Sequence, residues 1–95
     1  MPTIYNAPED FGLELVWSGD KGDGNDFNIF LVLRSKSGNL YYDQDSGCSC
    51  PSPFEDSNLE TLGLPKTLED ILHAATEWGA SQTQIRELKD ALGVR

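Results

Sequence analysis

Between Phe27 and Leu33 the chain reads Phe-Asn-Ile-Phe-Leu-Val-Leu, a β-branched and aromatic run that is apolar at every position except Asn28. Successive strand residues point to opposite faces, so such a run suits a central strand covered on both sides, or on most of one. It makes Phe27–Leu33 the middle of a sheet, and the rest of the chain has to supply its neighbours and its cover.

The neighbours are legible on either side. From Phe11 to Trp17 the sequence alternates, with Phe11, Leu13, Leu15 and Trp17 on one face and Gly12, Glu14 and Val16 on the other, the period of a half-buried strand. Residues Ser18–Asp26 (SGDKGDGND) contain no apolar side chain and read as a surface loop. After the central run, Ser35–Asn39 (SKSGN) has the small and polar residues of a tight hairpin, and Leu40–Asp43 reads as a third, tyrosine-bearing strand. Residues Gln44–Asp56 hold Pro51 and Pro53, each of which pushes its predecessor toward extended backbone, so this stretch reads as an ordered loop. Thr3–Asn6 leaves open a further strand at a sheet edge.

Helical signals fill the rest. Ser57-Asn58-Leu59-Glu60 has capping-box spacing ahead of Gly63 and Pro65, predicting one or two turns. Thr67 with Asp70 caps a second segment whose Leu68, Ile71, Leu72, Ala75 and Trp78 recur at helical spacing before Gly79. Ser81 with Gln84 caps a third, with Ile85, Leu88 and Leu92 on one face and Gly93 behind it. Both apolar stripes need the sheet to cover them. The expected fold is α+β: a three-stranded antiparallel meander followed by two to three short helices packed on the sheet. With 95 residues this is one domain, 1–95, its strand and loop half about 1–56 and its helical half about 57–95.

Charge narrows the partners. Sixteen acidic against seven basic residues give −9, which disfavours direct attraction to nucleic acid or to an anionic membrane surface. The excess is local: residues 1–62 carry eleven acids and three bases, residues 63–95 five acids and four bases. The start of the chain has neither the basic nor the apolar segment of a signal peptide, so a cytosolic setting with reduced thiols is expected.

A meander brings the loop after strand one and the segment after strand three to the same end of the sheet. That end is the candidate binding surface, with Asp20, Asp23, Asp26, Asp43, Asp45, Ser46, Phe54, Glu55 and Asp56. Like charges gathered there call for a cation, a basic partner surface or solvent to offset them. Cys48 and Cys50 are candidate metal ligands, since thiolates at i and i+2 can turn toward one zinc ion. One monomer is short of ligands, because the single histidine, His73, lies within a helix, whereas two copies would supply four thiolates. The plain reading of the same loop is structural: Gly47, Pro51 and Pro53 shape a rigid connection, the cysteines are small buried hydrophobes, and Phe54 plugs the core.

Gly22–Phe27 has a superficial likeness to a calcium-binding β-roll turn, but such sites lie between stacked repeats and none occur here. An enzyme reading would use Cys48 or Cys50 with His73 as base, or Ser46 as the attacking hydroxyl. Neighbouring carboxylates hold a thiol protonated, and the chain has no phosphate-cradling loop or nucleophile elbow, so no catalytic residues are expected.

Leu40-Tyr41-Tyr42 followed by Asp45–Asp56 (DSGCSCPSPFED) resembles a family of small uncharacterised proteins encoded by phages of actinobacteria. The resemblance is specific over about residues 27–62. It implies a setting, infection of a bacterial host, and no mechanism. In that setting the expected role is a binding module that engages a host or phage protein through the acidic loop surface. A small metal or redox module built on the Cys-x-Cys segment, with zinc, is the alternative. A DNA mimic is a further one, although acids in loops rather than in phosphate-like rows suit it poorly.

Overall fold

The computed structural model describes residues 3–22, 26–48, 54 and 62–93. Three strands, β1 (Leu13–Asp20), β2 (Asp26–Ser35) and β3 (Leu40–Cys48), form an antiparallel sheet in the order β1-β2-β3. Two helices follow, α1 (Leu68–Trp78) and α2 (Gln82–Leu92). The fold is the α+β meander with trailing helices that the alternation and capping signals predict. No helix among the described residues is long and apolar enough to cross a membrane.

β2 is the covered centre, with Ile29, Phe30, Leu31, Val32 and Leu33 all buried. Its odd-numbered residues pack with Ile4, Leu13, Phe54 and Leu62 on one face. On the other face, Phe30 and Val32 pack with Ile71, Ala75, Trp78 and Leu88 from the helices. Phe30 anchors this second layer, its ring 5.7 Å from Trp78, 6.0 Å from Tyr42 and 6.5 Å from Trp17. These separations fall within the range of favourable aromatic pairing.

The helix ends follow their sequence signals. The Thr67 hydroxyl accepts the Asp70 N–H at 3.3 Å while the Asp70 carboxylate accepts the Thr67 N–H at 3.3 Å. Ser81 and Gln84 make the same reciprocal pair at 3.1 and 2.9 Å. Each box satisfies donors that the first helical turn leaves unpaired. Gly79 ends α1 at φ 103°, a left-handed conformation that costs glycine little and L-residues more.

The structure departs from expectation in the faces and bounds of strand one and in the length of β3, and it resolves the open question of Thr3–Asn6. The perfect alternation of strand one breaks at a β-bulge: Leu15 pairs with Leu33 and Trp17 with Val32, leaving Val16 as an extra residue. A one-residue slip exchanges faces, so Trp17 joins Val16 on the helix-covered face while Leu13 stays on the other and Leu15 is 46% exposed. The strand also begins at Leu13, because Phe11 closes a 3-10 turn over Pro8–Phe11, and it continues through Ser18 and Gly19 to Asp20. Those polar residues sit in the ladder because β2, starting at Asp26, offers them partners.

β3, in turn, does not stop at Asp43. Gln44–Cys48 reads as loop in the sequence, yet it pairs residue for residue with β2 until Asp26 meets Cys48. A ten-residue neighbour supplies a continuous row of N–H and C=O groups, and that outweighs the weak strand propensity of Asp, Ser and Gly. Finally, Thr3–Asn6 adds no strand. It forms a turn in which the Thr3 hydroxyl accepts the N–H groups of Tyr5 and Asn6 at 3.2 and 3.0 Å, and it drives Ile4 fully into the core. The predicted turn at Ser57–Glu60 lies outside the described residues.

Candidate functional site

The end of the sheet where β1 gives way to β2 is held by one carboxylate. Asp20 Oδ1 accepts the N–H of Gly22 at 2.8 Å and that of Asn28 at 3.0 Å, closing the base of the connection from both sides. The Lys21 N–H donates to the Asn28 carbonyl at 2.8 Å, which extends the ladder by one step. Aspartate suits this position because a short acceptor side chain can bond backbone two residues on.

Asn28, the one polar residue of the central run, explains itself here. Its side-chain oxygen accepts the Trp78 indole N–H at 2.9 Å, satisfying a donor carried into the core by an aromatic ring. Lys21 reaches the same residue from the loop: its ammonium donates to the Trp78 carbonyl at 2.8 Å and lies 5.0 Å from the centre of the indole ring. A cation bonded to a carbonyl of the last helical turn also meets the negative end of the helix dipole, and its place over the ring adds a cation–π attraction. Strand end, loop and α1 are thus tied through Lys21, Asn28 and Trp78. Sequence reasoning passed over this latch, although a lone asparagine inside an apolar strand was its visible trace.

The structure distributes the predicted surface residues unevenly. Asp26 and Ser46 are exposed at the sheet end, where they line a shallow depression of about 460 Å³ with Lys21, Gly22, Asn28 and Gly47. Asp20 lies at the same end with its carboxylate bonded to backbone. Asp43 sits further down β3 opposite Leu31, so it belongs to the strand and not to the end loop, and its Oδ1 accepts the Gln44 N–H at 2.8 Å. Asp45 is half-buried: its Oδ1 accepts the Ser46 N–H at 2.9 Å and its Oδ2 the Phe54 N–H at 2.8 Å.

Phe54 is a correction to the proposed surface. It is fully buried, 5.7 Å from the Tyr5 ring and packed with Ile4 and Leu62, so it serves the core and not an exposed face. An aromatic ring gains more from burial than from partial exposure when the layer beneath it is apolar, and Asp45 satisfies the N–H carried in with it. Asp23, Cys50, Glu55 and Asp56 lie outside the described residues.

Cys48 occupies the last position of β3, paired with Asp26 across the ladder. Among the described residues, no three of His, Cys, Asp and Glu gather closely enough to hold a metal ion. His73 stands on the exposed side of α1, its Nε2 3.5 Å from Glu77 one helical turn on. His73 therefore faces solvent and not the sheet.

The profile of a domain of unknown function, DUF7574, matches residues 2–93, from the buried N-terminal turn to the glycine that ends α2. The chain belongs to this family. No curated protein and no solved structure matches the DUF7574 chain. The match covers both layers of the core and the whole sheet end, so the described site and its scaffold belong to one family domain.

Proposed function

We propose that this DUF7574 domain is a non-catalytic, phage-encoded binding module that works in the cytoplasm of the bacterial host and engages a basic surface of a host or phage protein through the acidic end of its sheet. The observation that carries this reading is the fixed frame there. Asp20 pins the base of the connection, the Lys21–Trp78 latch ties it to α1, and the β2–β3 ladder runs on to Asp26 and Cys48, so Asp26 and Ser46 are displayed from a backbone that needs little ordering on binding. A preformed surface avoids part of the entropy cost of association, and charge complementarity gives it speed and selectivity.

The test is capture from an actinobacterial host lysate on the immobilised chain at low salt, beside an Asp26→Lys variant. A protein with a basic face, held by the unaltered chain and released both by the substitution and by high salt, is the expected result. Retention of nothing specific at low salt would refute the reading.

A second reading, a zinc or redox module on Cys48 and Cys50, draws on the cross-strand pairing of Cys48 with Asp26, which sets one cysteine position beside an exposed carboxylate position at the sheet end. Native mass spectrometry of chelator-free protein with a thiol count decides it. A zinc mass with both thiols protected favours the module, and a bare mass with two titratable thiols rejects it.

A further inference from the structure

The helical side of the molecule carries a surface of different character. On α2, Gln82, Ile85, Arg86 and Lys89 fall at i, i+3, i+4 and i+7, a single stripe along one flank of the helix. With Thr76 of α1 and Ala80 of the connecting turn they enclose a groove of about 410 Å³ whose exposed lining is mainly apolar. Arg86 and Lys89 are exposed, and the ion pairs among the described residues, Arg34 with Glu14 and His73 with Glu77, do not involve them. Of the acids of the same helix, Glu87 projects from the other flank, whereas Asp90 stands one turn after Arg86, about 40° round from it at the edge of the stripe, and neither lines the groove. In a chain of net charge −9, the lining of this groove holds two cations and no acid beside its apolar floor.

We infer that the α1–α2 groove is a docking site for an acidic amphipathic helix of a partner protein. Apolar side chains of that helix rest on Ala80 and Ile85, and its carboxylates meet Arg86 and Lys89. An apolar floor with a cationic rim selects this chemistry over its competitors. A nucleic acid backbone would meet the two cations but leave the apolar floor uncovered. A second copy of the chain has its own acid-bearing helix, α1, with the apolar residues Ile71, Ala75 and Trp78 already buried against its own sheet, so it has no free apolar helix face to offer. The site lies on the helices and is independent of the sheet-end surface proposed above.

The experiment titrates the ¹⁵N-labelled full chain with a synthetic helix of about 14 residues, leucines at helical spacing and glutamates between, and with a control that has lysine for every glutamate. Saturable amide shifts centred on Ala80, Ile85, Arg86 and Lys89 with the acidic helix alone, weakened roughly three- to tenfold in Arg86→Ala/Lys89→Ala, support the inference. These exposed substitutions leave the core intact, so thermal melts of the two proteins should coincide. The inference is overturned by the absence of saturable shifts in the groove, by equal shifts with the lysine control, or by concentration-dependent shifts of the chain alone at the same residues, which would make the occupant a second copy.

Discussion

Replacing Phe54 by alanine separates two roles that one residue could hold, a core plug or a recognition side chain. Its ring is 0% exposed, and it meets Tyr5 at 5.7 Å and packs with Ile4 and Leu62 against the odd-numbered face of β2. Truncating a buried phenylalanine costs roughly 3–5 kcal/mol in lost transfer energy and cavity. A domain of this size has about 5–14 kcal/mol in all, so the loss is a large share. With a urea dependence of about 1–2 kcal/mol per molar, the unfolding midpoint should fall by roughly 1.5–5 M, far enough for some unfolding in water. Backbone conformation adds a second readout. Phe54 has φ 62°, where a side chain is strained, so Phe54→Gly should be no less stable than Phe54→Ala although glycine normally weakens a folded chain. Urea titrations followed by tryptophan fluorescence and by far-ultraviolet circular dichroism measure both. A loss under about 1 kcal/mol for Phe54→Ala would refute the burial argument and return Phe54 to the binding surface.

Three further outcomes follow from the same contacts. Asp45→Ala should destabilise the fold by about 1.5–3 kcal/mol because the half-buried Phe54 N–H loses a charged acceptor, whereas Asp26→Ala should stay within about 0.5 kcal/mol, both by urea titration. Gly63→Ala should cost about 1–3 kcal/mol, since a Cβ there would stand 2.7 Å from the Tyr42 ring while two backbone hydrogen bonds hold Gly63 to β3; equal melting temperatures would contradict it. Lys21→Ala and Trp78→Leu should be non-additive by about 0.5–1 kcal/mol in a double-mutant cycle, the coupling expected of a cation over an indole ring.

Local chemistry decided what could be read from residue order alone. The capping pairs Thr67–Asp70 and Ser81–Gln84, with Gly79 and Gly93 behind them, mark both helices correctly because every group involved lies within a few residues of its partner. The apolar run Phe27–Leu33 demanded two covered faces for a similarly local reason, the alternation of side chains along a strand. Of the candidate surface, Asp20 and Asp26 were placed at one end of the sheet by the meander itself. The rest was decided by groups distant in the chain. A bulge at Val16 sends Trp17 to the face where Phe30 and Trp78 complete its packing, a ten-residue β2 draws Gln44–Cys48 into the ladder, and Ile4 and Phe54 become core on the sheet face that α1 and α2 do not cover. Asn28 shows the boundary between the two kinds of information. Its polarity in an apolar strand is plain in the sequence, but only packing brings the Trp78 indole to it across fifty positions, because a hydrogen bond is specified by where two groups meet in space and not by their order along the chain.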